Sequence, residues 1–373
     1  MKRVLVTGAA KIGRAGVATI VYKWGQEFNS EKIVYDYLMQ SGLPDQQYVD
    51  AIKKKGSKIY TLDREHRSMF GIVRWVEEIV RENSYEVIHI NTDTAYIAAA
   101  YIYAAKKGGI KHIFVHSHCT QVDDNNIVSR IIKTSLHKFC MHYVCNNSET
   151  YLACSKLAGN WMFGKKNVDS SKYQTIYNGV KVEPYLYSEK DRKDYREKMR
   201  LEGKYVIGNV GRFSYQKNHE FLVKVFAQIS KADHDAVLVI VGTGELENEV
   251  REQVKALNIS DKVLFLGTRN DVPALLSMFD VLVMTSRFEG LPVTMVEAQM
   301  ADLPCVVSGN ITREAQFIES VDYIDGFEVN QWISTIKKYK NYHRVCRSEE
   351  KQKSQFNIKT AARELERILA REK

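Results

Sequence analysis

Apolar residues recur along this chain in short β-branched runs that alternate with longer stretches at helical spacing, and the alternation occurs twice. In the first half the runs predict strands at 2–7, 31–37, 58–61, 86–90, 111–117, 150–155 and 173–177. The spacing between them predicts helices at 15–27, 68–83, 94–107, 126–140 and 155–163. A charged, strand-poor stretch follows from Ser188 to Lys204, and the second half repeats the pattern with strands at 205–210, 236–241, 262–266, 280–285, 304–308 and 321–324. Apolar strands alternating with helices imply parallel sheets covered on both faces, an α/β protein with doubly wound, Rossmann-like domains. A chain of 373 residues suits two such domains better than one core. The terminal segment, Asn357 to Arg371, carries Ile358, Ala361, Leu365, Ile368 and Leu369 at helical spacing.

Chemistry concentrates where the second-half strands end. The strand Asp280 to Ser286 leads into Glu289-Gly290-Leu291-Pro292 and on to Glu297. Pro292 suits a first helical position, because its fixed φ and missing N–H cost nothing there. Glu289 therefore belongs to the loop at the carboxyl end of a parallel strand, and Glu297 lies about a turn into the next helix. Open α/β sheets bind ligands at that end. Two carboxylates there can serve a sugar ring and a ribose diol; the plain alternative is a loop acid and a solvated helix acid.

Two cations accompany them. Gly208-Asn209-Val210-Gly211-Arg212 ends the first strand of this half, and Gln216-Lys217-Asn218 follows. A glycine that admits backbone to a ligand, then Arg212 and Lys217, describes a diphosphate clamp, a bidentate fork beside a point charge. Val241-Gly242-Thr243 and Leu266-Gly267-Thr268-Arg269 end two further strands at glycine. Together these strand ends make a crevice able to hold a nucleoside diphosphate and its sugar.

These residues resemble the retaining GT-B glycosyltransferases of family 4, in the bacterial branch that builds capsular polysaccharides and exopolysaccharides. The resemblance is specific from Val206 to about Glu314 and includes Val210-Gly211-Arg212-Phe213-Ser214, Phe288-Glu289-Gly290-Leu291-Pro292, Glu297-Ala298-Gln299 and Leu303-Pro304-Cys305-Val306. Tyr177-Asn178-Gly179-Val180 is similar to the family's signature before the hinge, with Lys181 where an Asp is usual. The resemblance implies two Rossmann-like domains facing across a cleft. The first, 1–186, would bind the acceptor and take back the C-terminal helix at 350–373; the second, 187–349, would bind the nucleotide-sugar. It further implies a hexosyltransferase that retains anomeric configuration. Arg212, Lys217 and the helix N-terminus at Gly16 would hold the donor diphosphate between the domains. Glu289 would meet the transferred sugar and Glu297 the ribose, while Gly211, Gly242 and the backbone of Gly267-Thr268-Arg269 would line the donor site, with Gly290-Leu291 at the sugar. No cofactor is expected beyond the nucleotide-sugar co-substrate, a UDP-sugar being favoured. A protein-borne cationic clamp and the lack of an Asp-x-Asp motif lead to an expectation of metal independence.

In the first half, Thr7 to Gly16 joins a strand to a helix but lacks the G-x-G-x-x-G spacing of dinucleotide binding. Tyr103 and Lys107 echo a dehydrogenase pair, within a helix that reads as core. Aligned on Val17-Ala18-Thr19, Ala15-Gly16 fall on the family's phosphate-contacting Gly-Gly pair, leaving Gly16 as the candidate. The resemblance also places a histidine of His116-Ser117-His118 at the reaction centre, with His118 preferred and His116 the alternate, a core strand histidine. Ser155 matches a strand-end serine of the family and equally a helix N-cap. His116, His118, Cys119, His137, Cys140, His142 and Cys145 crowd together in sequence, but no paired knuckle supports zinc.

Charge adds a partner. Residues 1–186 hold 25 Lys and Arg against 17 Asp and Glu, whereas the remainder holds 29 against 28. A basic first half suits an anionic membrane surface and a lipid-linked glycan acceptor such as a polyprenyl diphosphate. It is equally an ordinary solvated surface. No zinc-finger, helix-turn-helix or RNP motif points to nucleic acid. Six cysteines form no C-x2-C pair, and Met1 leads straight into a strand, so a cytoplasmic protein, peripheral on the inner face of the membrane, is expected. The longest helical apolar stretch, Thr94 to Ala105, is short of the ~20 residues that span a bilayer. Two alternatives stand beside the main reading: a non-catalytic nucleotide-sugar-binding or partner-stabilising subunit, and a GT-B transferase acting on a protein or small molecule.

Overall fold

The computed structural model describes residues 1–9, 12, 16–40, 42–62, 68–344, 351 and 354–372. Cys346 and the loop positions Ala10, Lys11, Gly13, Arg14 and Ala15 lie outside the described residues. The chain divides into two compact units, one of Met1–Val122, Asn126–Gly179 and Gln355–Lys373, the other of Asp123–Asn125 and Val180–Ser354.

The first unit runs β1 (Lys2–Val6), α1 (Gly16–Glu27), β2 (Ile33–Met39), α2 (Gln46–Lys54), β3 (Ile59–Thr61), α3 (Met69–Asn83), β4 (Val87–Thr92), α4 (Ala95–Gly108), β5 (His112–Ser117), α5 (Ile127–Asn147), β6 (Thr150–Ala153), α6 (Lys156–Phe163), α7 (Lys165–Val168) and β7 (Tyr173–Thr175). Its seven strands are parallel in the order β3-β2-β1-β4-β5-β6-β7, so the topological switch falls between β1 and β4. Every residue of β2 and of β4 is buried, which is why both read as apolar runs. At the switch, Gly8 takes φ +82° and a Cβ there would stand 2.7 Å from Asn91 Cβ, so only glycine fits.

The second unit runs α8 (Glu189–Met199), β8 (Tyr205–Val210), α9 (His219–Ala232), β9 (Ala236–Val241), α10 (Glu247–Ala256), β10 (Val263–Phe265), α11 (Val272–Met278), β11 (Val281–Met284), α12 (Val293–Met300), β12 (Cys305–Ser308), β13 (Val321–Ile324) and α13 (Val329–Lys337). The parallel order is β10-β9-β8-β11-β12-β13, with the switch between β8 and β11. The final helix, α14 (Ile358–Ala370), packs on α1 of the first unit, where the Ala370 carbonyl accepts from Lys2 Nζ at 2.7 Å. Gly179 admits its start, since a Cβ there would lie 2.6 Å from Ile358 Cα.

Several elements depart from the sequence pattern. Helix α2 had no apolar signal, because it buries only Val49 and Ile52. Helix α5 extends to Asn147, beyond the expected end at 140, so His142 and Cys145 are helical. Helix α8 fills the charged stretch and buries no residue fully. It is held by ion pairs: Arg192 and Arg196 both bond Asp280, the second at 2.7 Å, while Asp280 also accepts from the Val206 N–H. Pro292 stands one position before α12 rather than inside it. Among the described residues no helix is long and apolar enough to cross a membrane.

Candidate functional site

Beside the switch point of the second unit, the ends of β8, β9 and β10 touch through backbone. The Gly211 N–H donates to the Val241 carbonyl at 2.9 Å, and the Gly242 N–H donates to the Gly267 carbonyl at 2.8 Å. Gly242 takes φ +132°, and a Cβ there would fall 2.1 Å from Gly211 O. Packing of backbone on backbone therefore demands glycine at 242 before any ligand is considered. A Cβ on Gly267 would meet nothing within 4 Å, although its φ of +63° favours glycine.

Glu289 sits in the loop after β11 and is buried. Its Oε1 accepts from Lys217 Nζ at 2.6 Å and from Ser286 Oγ at 2.8 Å, and its Oε2 accepts from Gln216 Nε2 at 3.1 Å. The Gln216 amide also donates to the Phe288 carbonyl at 3.0 Å. Thr285 Oγ1 donates to the Asn218 carbonyl at 3.0 Å, so the loops after β8 and β11 are tied together at several points. Ser286 and Gln216 had no assigned role in the sequence reading, and they orient the carboxylate.

Arg212 is more exposed. Its Nη2 lies 2.7 Å from Asp123 Oδ2 and 3.6 Å from Glu245 Oε1, and Asp123 Oδ1 accepts from the Gln216 N–H at 3.0 Å. Both candidate clamp cations thus face carboxylates. Arg269 is engaged with Asp271, Nε to Oδ1 at 2.8 Å, and this pairing first of all holds the Asp271 carboxyl down at about 2. Thr268 Oγ1 lies 3.3 Å from Thr243 Oγ1. Gly290 and Leu291 are buried in the Glu289 loop. Glu297, the fifth residue of α12, is buried and accepts from the Tyr185 hydroxyl at 2.6 Å; burial and then Glu297 push the Tyr185 phenol well up. Glu289 and Lys217 are brought together, whereas Glu297 has its own donor.

In the first unit, Gly16 opens α1, is exposed, and has open space where a Cβ would stand. His118 follows β5, is buried, and its Nε2 is 2.9 Å from Asn91 Oδ1. Asn91 is fixed in turn by Thr7, whose Oγ1 accepts the Asn91 N–H at 2.9 Å. His116 lies deeper, its ring stacked against Trp24 at 5.1 Å and His118 at 4.4 Å, with Nδ1 3.2 Å from His89 Nε2. Burial pushes His118 and His89 down to about 3, and His116 well down. Neutral rings are what such a stack requires.

The remaining candidates have local roles. Ser155 Oγ caps α6 by accepting the Ala158 N–H at 3.2 Å. Tyr103, expected in a core, is half exposed with the Lys107 ammonium 5.3 Å above its ring. His137 engages the Ala95 N–H through Nδ1 and the Trp161 carbonyl through Nε2, each at 2.9 Å. Among the described residues no three His, Cys, Asp or Glu side chains gather as metal ligands.

Known proteins match both units of the chain. Residues 191–363 match the family described as glycosyl transferases group 1, and residues 14–184 match glycosyltransferase family 4. EpsF of Bacillus subtilis (strain 168), assigned as a glycosyltransferase, is 30% identical over 310 residues, covering 81% of this chain and 78% of its own. The Escherichia coli UDP-Gal:alpha-D-GlcNAc-diphosphoundecaprenol alpha-1,3-galactosyltransferase is 28% identical over 241 residues, 62% of this chain and 59% of that enzyme. Anabaena HepE, solved in complex with UDP and glucose, superposes with a TM-score of 0.75 at 17% identity, covering 100% of both chains. Sucrose-phosphate synthase from Thermosynechococcus elongatus gives 0.76 at 16% identity, covering 100% of this chain and 99% of that one. With two parallel-sheet units matched end to end and a family match across both, the chain belongs to the glycosyl transferases of group 1, family 4, and has the GT-B fold.

Proposed function

We propose that the protein transfers a hexose from a UDP-sugar to a glycan carried on a polyprenyl diphosphate, with retention of anomeric configuration and without a metal ion. The setting is capsule or exopolysaccharide synthesis on the cytoplasmic face of the membrane. The observation that carries this reading is Glu289, buried at the switch point between β8 and β11 and oriented by Lys217, Ser286 and Gln216. The Escherichia coli relative, a UDP-Gal:alpha-D-GlcNAc-diphosphoundecaprenol galactosyltransferase, supports a UDP-linked donor and a diphosphoundecaprenol acceptor, and the UDP and glucose bound to HepE support the donor.

Arg212 and Lys217 would exchange their carboxylate partners for the donor diphosphate and stabilise the nucleoside diphosphate as it departs with negative charge. Glu289 would stabilise the oxocarbenium-like sugar. A carboxylate that keeps Ser286 and Gln216 as donors once Lys217 turns to the diphosphate is suited to electrostatic support, and no covalent intermediate is assigned to it. Glu297 would take the ribose hydroxyls, the Gly16 helix terminus a phosphate and His118 the transferred sugar.

A thermal-shift panel of nucleoside diphosphates and sugar nucleotides, with and without EDTA, on wild type and Arg212→Ala tests this. A ligand at a hundred times its dissociation constant adds ~2.7 kcal/mol to native stability. Selective, EDTA-insensitive stabilisation by uridine nucleotides, weakened in Arg212→Ala, is expected. Selectivity for another base or a requirement for metal would overturn the donor or the metal-free reading, and transfer without product retention would overturn the stereochemistry.

A further inference from the structure

Tyr185 ends the one-turn 3-10 helix Glu183–Tyr185, in which Pro184 fixes the backbone. Its N–H donates to the Val182 carbonyl at 3.0 Å, and the turn packs against α11 and α12. From there the phenol reaches Glu297 Oε1 at 2.6 Å, within the short range of a hydroxyl donating to a carboxylate. Burial and then the charge of Glu297 keep the phenol protonated, so Tyr185 is the donor and the carboxylate the acceptor. The helix that carries Glu297 is itself held in place. Two positions on, buried Gln299 donates to the Met295 and Ala315 carbonyls at 3.1 and 2.8 Å and accepts the Phe317 N–H at 2.8 Å. The backbone at Glu297 is therefore fixed through Gln299, and its side chain is tied through Tyr185. A loose glutamate has to be ordered when a ligand arrives, and that ordering subtracts from affinity.

We infer that Tyr185 is a positioning residue: its hydroxyl pins the Glu297 carboxylate in place for a ribose diol, and so sharpens the preference for nucleotides that carry one. This rests on the proposed contact of Glu297 with the ribose hydroxyls and goes beyond it by assigning the residue that prepares that contact. A cis diol offers two O–H donors to one carboxylate, and hydrogen bonds to a charged acceptor are the strong ones. Phenylalanine at 185 fills the same space without the donor, so the carboxylate keeps its charge and loses its tether. The consequence passes through the ribose hydroxyls alone. A nucleotide that lacks both does not feel it.

The test is calorimetric titration of the full chain with UDP and with 2′,3′-dideoxyuridine diphosphate, on wild type, Tyr185→Phe and Glu297→Gln. Wild type is expected to prefer UDP by at least about thirtyfold. Tyr185→Phe should weaken UDP by about fivefold and leave the dideoxy nucleotide unchanged, so that the preference itself shrinks. Glu297→Gln, which removes the charge and keeps the shape, should lose most of the preference. If wild type binds both nucleotides equally, or Glu297→Gln keeps the full preference, the ribose reading of Glu297 fails and the role of Tyr185 with it. If Glu297→Gln loses the preference while Tyr185→Phe keeps it, the ribose reading stands and the Tyr185 assignment fails. Equal weakening of both nucleotides by Tyr185→Phe would make the tyrosine a prop of the fold and overturn its role in selection. Tighter binding of UDP by Tyr185→Phe would overturn it too, by showing that the phenol competes with ribose for the carboxylate.

Discussion

Lys217 Nζ lies 2.6 Å from Glu289 Oε1, with both side chains largely withdrawn from solvent. The pair joins the loop after β8 to the loop after β11, so it has a structural share as well as a proposed chemical one. Deleting one member of a buried pair strands the other charge, at a cost of about 3–5 kcal/mol. Glu289→Ala is therefore expected to abolish transfer and also to lower the melting temperature. Glu289→Gln keeps the shape and removes the charge: it should cut transfer by ~10²-fold or more while UDP affinity stays within a few-fold. Turnover at the wild-type rate in Glu289→Gln, with the fold intact, would remove Glu289 from the reaction.

Arg212 offers a cleaner separation, because its side chain is 58% exposed and its pairs with Asp123 and Glu245 contribute little stability. Arg212→Ala should change the melting temperature hardly at all. Binding of UDP should fall by ~10-fold or more, since a charge-assisted contact to phosphate is lost. Uridine, which has no phosphate, should bind the variant as it binds wild type. Calorimetric titration with the two ligands decides this; equal losses for both would place Arg212 away from the diphosphate.

The strands were legible because they are buried on both faces and rich in β-branched residues. The loop positions of Arg212, Lys217 and Glu289 were legible because each follows the carboxyl end of an apolar strand. Their partners were not. Asp123 reaches Arg212 across 89 residues of sequence and Tyr185 reaches Glu297 across 112, distances that no local pattern encodes. Helix α8 escaped notice because ion pairs to Asp280 hold it, not an apolar stripe. His116 lies in β5 and His118 just after it, their rings stacked on one another, so pattern alone left both open; the structure buries His116 completely and His118 nearly so. The strand-end pattern marks Gly242 as a donor-site position, and the structure adds the carbonyl of Gly211 as a reason internal to the protein for glycine there.

That contact makes Gly242→Ala a severe change. The left-handed φ and a carbonyl oxygen 2.1 Å from the new methyl group combine strain with a clash against backbone. A loss of about 3 kcal/mol or more is expected, lowering the melting temperature by roughly 6–12 °C in a unit of this size. Gly16→Ala is the matched control, with open space at the Cβ and a helical backbone. It should be neutral to stabilising by up to about 1 kcal/mol. Equal melting temperatures for Gly242→Ala and wild type would mean that the β8 and β9 ends are not packed as described.

The stacked histidines of the first unit predict acid sensitivity. His89 and His118 are held at about 3 by burial, far below the ~6.5 of an unfolded chain. Their neutral forms are thus favoured by folding. The stabilisation is complete above about pH 6.5, where neither state binds the proton, and is lost as pH falls towards 3. Between those limits each such histidine removes about 1 kcal/mol per pH unit. His219, pushed to about 3 in the second unit, acts in the same direction. The paired Asp271, at about 2 against ~3.9 unfolded, changes stability only below about pH 4, outside this window. Denaturant unfolding at about pH 7, 6 and 5 should therefore show stability falling more steeply than one histidine allows. His118→Gln should flatten the slope by about one histidine's share below pH 6. A wild-type stability independent of pH from 7 to 5 would mean that these rings are solvated rather than buried neutral in the stack.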